Sequence, residues 1–235
     1  VGRWLRSRVE QAWFLDALPD RVQPLPCLMP LYRGTMRSPA LFRAAFLLER
    51  AMPTMTSRPT LPRLPTGAVL PPDAVLPGYP IPRDRLSGAA RWSEAVLRDP
   101  ADAVGTLLGR ATAAGATLMP ATEADGLLVA DGAVAGLRVR DAHAPERREA
   151  DSAELRAPVV VLCAGAATRG LARRFDRDLP ALSCATLAFN LLLDLLAPAG
   201  VALGVSPVPG RGRSLFLRAE GDALLAGTWY APWPG

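Results

Sequence analysis

No lysine occurs in this chain of 235 residues; all of its 27 basic side chains are arginine. Chemistry that needs an ε-amine, such as a Schiff base or the ammonium of a phosphate-binding P-loop, is thereby excluded. Histidine is almost as scarce. His143 is the single one, too few for a histidine-rich metal centre, and it falls in the polar stretch Asp141–Glu149, which reads as a surface loop. Cys27, Cys163 and Cys184 form an odd set without CxxC spacing, which argues against a disulfide framework and a zinc site. Long apolar runs are missing too. Leu191–Leu196 is broken by Asp194, and nothing approaches the roughly 20 residues of a membrane helix. The first residues are polar and arginine-bearing, unlike a signal peptide. The expectation is a cytoplasmic chain, with peripheral contact at the inner face of a membrane left open. A GxGxxG fingerprint is also absent.

What is present suits a packed protein. Half of the residues are apolar, and the net charge is +5 with a pI of about 9.8. The arginines are scattered and mixed with acids, so a solvated mixed surface is expected and nucleic acid is not.

Residues 3–18 carry apolar side chains at helical spacing and stop at Pro19. VQPLPCLMPLY holds three prolines and reads as an irregular or edge-strand segment. Ser38–Arg50 is a helix with Ser38 as N-cap and Pro39 at the first helical position. Residues 53–82 form a proline-rich connector, long enough for a lid-like excursion. ARWSEAVLRDP gives a short strand and a turn. Asp99-Pro100 starts a helix over Asp102–Ala114, closed by Gly115.

ATLMPAT reads as a strand. GLLVADGAVAGLRVRD reads as two strands joined at Asp131-Gly132, a strong hairpin signal. In PVVVLCAGAATRGLARRF a run of five apolar residues, Val159 to Cys163, predicts a strand covered on both faces, followed by a small-residue turn and a helix near Thr168. Cys163 is then a small core residue. The tail predicts an antiparallel meander: Leu187–Leu193, a turn at Pro207–Gly212, Ser214–Arg218, a turn at Gly221-Asp222, and Ala223–Thr228.

The strand-turn-helix around Gly165 is the most informative element. Small residues there let a backbone approach a ligand, and the next helix offers unpaired N–H groups to an anion. The same residues equally suit plain packing of a helix on a sheet, and the local pattern leaves both readings open.

These segments resemble the D-amino-acid-oxidase-like superfamily of flavoproteins. There, a hydrophobic strand ending in a CAG-like turn runs past FAD, as VVVLCAGA would here. TLLGRATAAGATLMPATEADGLLVADGAVAGLRVRDA is similar to the family's helix, adenine-side strand and hairpin. Two stretches resemble the quinone-linked glycerol-3-phosphate dehydrogenase branch: LPDRVQPLPCLMPLYRGTMRSPALFRAAF, through PLPCLMPLY, and GRSLFLRAEGDALLAGTWYAPWPG, which carries Gly227-Thr228-Trp229 where the family has GTT. A substrate-binding lysine of some members falls on Pro234.

The resemblance implies an α/β (α+β) fold, with a partial FAD-binding sheet with helices and an antiparallel or mixed substrate-domain sheet. Residues 1–100, including the connector 53–82, would belong to the substrate side, 101–178 to the FAD-binding domain, and 179–235 to a truncated substrate-domain sheet. Ala124, Ala164, Gly165, Ala166 and Gly227 would contact FAD. Arg213 and Thr228 would serve catalysis, Arg213 by matching an arginine near flavin and substrate; an ordinary strand-end arginine is its other reading. Arg33 reads more simply as a loop residue. Trp229, Tyr230 and Trp233 would face the flavin ring or mark a lost interface.

The implied reaction is oxidation of a secondary alcohol or polyol phosphate, with hydride passing to the flavin N5 and electrons to a quinone. An amine-oxidising relative and a non-catalytic remnant are the alternatives. The family's GxGxxG segment would lie ahead of Val1 and its last part beyond Gly235. The sequence is therefore expected to be an internal piece that binds FAD weakly or not at all.

Overall fold

The structure is a computed structural model that describes residues 2–51, 64–75, 81–143, 152–175, 186–196, 200–206, 208 and 212–232. The elements run α1 (Gly2–Ala17), β1 (Val22–Tyr32), α2 (Pro39–Ala51), β2 (Ala68–Leu70), α3 (Pro72–Val75), β3 (Leu86–Leu97), α4 (Pro100–Ala113), β4 (Thr122–Ala130), β5 (Ala133–Asp141) and β6 (Ser152–Arg156). A 3-10 turn, Gly165–Ala167, leads to α5 (Thr168–Arg174). Four strands close the chain: β7 (Thr186–Leu193), β8 (Ala202–Val205), β9 (Leu215–Glu220) and β10 (Ala223–Pro232). The chain divides into two compact units, Val1–Leu107 with Ala188–Tyr230, and Leu108–Leu187 with Ala231–Gly235.

The first unit is built on a seven-stranded mixed sheet in the order β2-β3-β1-β8-β9-β10-β7. β1 pairs antiparallel with β3 along its whole length and parallel with β8 at Cys27–Ala202 and Leu28–Leu203. VQPLPCLMPLY is therefore an interior strand, not the irregular or edge segment its prolines suggest. The reason lies in parity. Pro24, Pro26 and Pro30 share alternation with Val22 and Tyr32, whose N–H groups donate to Leu18 O and Arg37 O rather than to β3. The missing proline donors face that same side, so the β1–β3 ladder loses no bond.

Leu31, Ala89 and Ala90 are fully buried. Leu28, Ile81, Ala89, Val201 and Leu203 form one core cluster, and Leu18, Val22 and Ala103 a second beneath α1 and α4. Asp99 caps α4, its Oδ1 accepting from Ala101 N at 2.8 Å and Asp102 N at 3.1 Å. Ser38 Oγ accepts from Leu41 N at 3.4 Å, a long cap bond at the start of α2.

The second unit holds a three-stranded antiparallel sheet, β4-β5-β6. Asp131 and Gly132 both have positive φ, 51° and 76°, as the predicted two-residue hairpin turn requires. Gly136 lies at φ 148°, and a Cβ there would collide with Leu155 O and stand 2.9 Å from Arg156 Cα. Only glycine lets β6 approach.

Several expectations fail. ATLMPAT forms no strand before Thr122, and Leu118 and Met119 are exposed. Val159–Cys163 has neither strand nor helix; Val159 and Val161 are more than 70% exposed, at 71% and 74%. Cys163 is exposed, not a core residue. A continuous apolar run becomes a doubly covered strand only with neighbours on both sides, and no strand of the described residues pairs with it. β6 and β8 went unread. β9 and β10 pair antiparallel as predicted, and β8 pairs antiparallel with β9, but the three join β1 in one mixed sheet.

Candidate functional site

In the first unit, β9 and β10 form a hairpin about Gly221-Asp222, with Gly227 opposite Phe216. Arg213 lies just ahead of β9. Its Cζ sits 4.3 Å from the centroid of the Tyr230 ring, two residues beyond Thr228. Such stacking holds a guanidinium in one orientation while leaving its N–H edge open to an anion. Both residues are solvent-accessible. The loop after β1 supports the same place, because the Arg37 guanidinium donates to Gly212 O.

Gly227 is buried against β7. A Cβ there would collide with the Asn190 side chain and come within 3.2 Å of Asn190 Cα. Asn190 is the single asparagine of the sequence, and periodicity gave no hint of it. Trp229 stacks on Phe189, with centroids 5.8 Å apart and planes 12° apart. Arg213, Gly227 and Thr228 thus belong to one hairpin, with Tyr230 and Trp229 beside them. Arg33 stands apart in the loop, exposed, its backbone N–H donating to Arg85 O at 3.0 Å. Trp233, Pro234 and Cys184 lie outside the described residues.

In the second unit, Ala164, Gly165 and Ala166 are exposed. Gly165 has φ 55°, and a Cβ there would meet no atom within 4 Å. This open, small-residue backbone fits a ligand that must approach the main chain closely. The helix that follows spans seven residues, too short for much of the dipole anticipated at its start. Ala124 sits in β4 opposite Val139, at a bulge whose extra residue is Asp125. Its carbonyl accepts from Arg174 Nη1 at 3.2 Å. Arg174, Glu123 and Arg140 were not picked out from sequence; charged residues 50 positions apart show no pattern that would pair them. His143 is exposed in a turn, as read.

Among the described residues, no cluster of three or more His, Cys, Asp or Glu could hold a metal, and no helix is long and apolar enough to cross a membrane.

The family description "FAD dependent oxidoreductase" matches residues 41–234, and the chain belongs to that family. No curated protein matches the sequence. Among solved structures, the chain is similar to glycerol-3-phosphate dehydrogenase from Bacillus halodurans complexed with FAD, with 18% identity and a TM-score of 0.58 over 99% of this chain and 38% of that one. L-proline dehydrogenase from P. horikoshii is similar at 12% identity and a TM-score of 0.67, over 99% of this chain and 57% of that one. Glycine oxidase from Geobacillus kaustophilus is similar at 17% identity and a TM-score of 0.55, over 97% and 55%. The chain thus spans between 38% and 57% of the length of these three structures.

Proposed function

We propose that this chain is part of an FAD-dependent dehydrogenase that oxidises a secondary alcohol bearing an anionic group, such as a glycerol-3-phosphate-like substrate. The observation that carries the substrate side is Arg213, stacked on Tyr230 beside the strand that holds Gly227 and Thr228. PLPCLMPLY, which resembles the same branch, supports the alcohol over an amine.

The bound flavin would supply the hydride acceptor at N5, with electrons leaving to a quinone. This chain's own residues bind and orient. Arg213 presents a planar fork to the substrate anion, and the Tyr230 ring restricts its swing. Thr228 offers a hydroxyl on the same hairpin. Gly227 lets β7 and β10 close together at Asn190. In the other unit, the exposed Ala164–Ala166 backbone and Ala124 would receive FAD. An arginine also suits the carboxylate of an amino acid, and that is the second reading.

Trp229 and Tyr230 are built-in reporters for the test. Titration of the chain with glycerol 3-phosphate should give a saturable change in fluorescence that plain glycerol does not. Arg213→Ala should weaken it at least tenfold, the loss of one charge-assisted contact of about 1.5–3 kcal/mol. Arg213→Lys should restore it only in part. A saturable response to glycine or L-proline instead would transfer the reading to amine substrates. An Arg213→Ala titration identical to wild type would remove Arg213 from the site.

A further inference from the structure

Ala124 lies between two acids, and both turn onto the same guanidinium. Glu123 Oε2 accepts from Arg140 Nη2, and Asp125 Oδ1 stands 3.6 Å from Arg140 Nε. The Arg140 side chain is only 8% exposed. The other oxygen of Glu123 faces a second arginine: Arg174 Nη1 lies 3.1 Å from Glu123 Oε1 and 3.2 Å from Ala124 O. One guanidinium N–H group at the end of α5 therefore grips a side chain and a backbone carbonyl of β4.

α5 follows directly on the Gly165–Ala167 turn. It buries Ala172 and is followed by buried Phe175. The turn ahead of it is exposed on all three residues.

We propose that Arg174 is a positioning residue for the flavin nucleotide: it clamps α5 to the β4 bulge, so that the Ala164–Ala166 backbone and the Ala124 backbone are held as one binding surface. This rests on the reading above that those two segments receive FAD. Arg174 acts through them and is not assigned a contact of its own with the cofactor. The geometry favours arginine, because its fork reaches carboxylate and carbonyl together, whereas an ammonium is a single point charge on a mobile stem.

The test compares the whole chain with Arg174→Leu and Arg174→Lys. Backbone hydrogen exchange is measured over residues 122–126 and 164–170, with and without FAD and with ADP as the smaller probe. Arg174→Leu should raise exchange in both segments at once, by more than tenfold, while the hairpin turn at Asp131-Gly132 stays unchanged. FAD and ADP affinity should fall together by at least tenfold, and Arg174→Lys should recover part of both effects. Faster exchange in one segment only, or unchanged exchange in both, would overturn the clamp. So would affinity equal to wild type in Arg174→Leu. If FAD and ADP protect neither segment in the wild-type chain, the cofactor reading fails, and the clamp is then judged by the coupled exchange alone.

Discussion

The two units of this chain are held together by different physics. The Val1–Leu107 and Ala188–Tyr230 unit has an interior strand, β1, with partners on both sides and two clusters of buried aliphatic side chains. Among the described residues of the second unit, the large buried side chains are Val139, Phe175 and, unusually, Arg140. Its sheet depends on a tight hairpin, a glycine at the β5–β6 contact, and an arginine held by two acids. Burial of apolar area tolerates small shifts, whereas a backbone collision or a half-paired buried charge does not. Sensitivity to substitution therefore follows mechanism rather than size.

The sharpest challenge to it is Gly136→Val. Its side chain would enter the space of Leu155 O and Arg156 Cα at a φ that β-branched residues avoid. The expected cost is about 4 kcal/mol or more, read as loss of exchange protection over β4–β6 with β1, β3 and β8 still protected. Loss of protection in both sheets would break the division into two mechanisms. Next comes Leu31→Ala, at the fully buried position of β1. About 2–5 kcal/mol should be lost, seen as a lower denaturant midpoint for the first unit.

Arg140→Leu should cost less, about 1–2 kcal/mol, because Glu123 is about one-third exposed (34%) and keeps Arg174. Its diagnostic is salt. The difference from wild type should shrink with added salt, whereas the Leu31→Ala difference should not. A salt-independent Arg140→Leu effect would reassign the arginine to packing.

The smallest effect contrasts two cysteines. Burial, with the Glu94 charge as a lesser cause, pushes the Cys27 thiol up from its ordinary 9.0 to about 12. Burial likewise raises the Tyr32 phenol. A group whose folded pKa is raised contributes stability that is complete below the unfolded value and is lost as pH rises through the folded one. Stability should therefore decline from about pH 9 toward about pH 12, and Cys27→Ala should soften that decline. At pH 8, a thiol reagent should modify exposed Cys163 in the native chain and spare Cys27. Rapid modification of Cys27 would show that the first unit opens more readily than its packing implies.

Much of the local structure was legible. α1, α2 and α4 follow from spacing and caps, and the Asp131-Gly132 hairpin and the β9–β10 turn from their turn residues. The misses share a cause. β8, four residues between turns, is a strand because β1 and β9 lie on either side of it. Three prolines pointed VQPLPCLMPLY to an edge, yet parity let the strand stay inside. Val159–Cys163 has a strand's composition but no strand beside it among the described residues. On the site, Arg213, Gly227 and Thr228 came from resemblance, while Tyr230 as the partner of Arg213, Asn190 against Gly227, and Arg174 on Ala124 came from contacts between residues distant in the chain.

The amino-acid order fixed what depends on near neighbours: helix caps, turn conformations, the alternation that aims a side chain, and the family to which the motifs belong. Partnership lay beyond it. Which strand stands beside another that is not its neighbour in sequence, which arginine meets which carbonyl, and whether an apolar run is covered depend on segments far apart in the chain, 50 positions for Ala124 and Arg174 and 175 for Cys27 and Ala202. Those contacts take their free energy from burial and charge pairing, neither of which a local window of sequence contains.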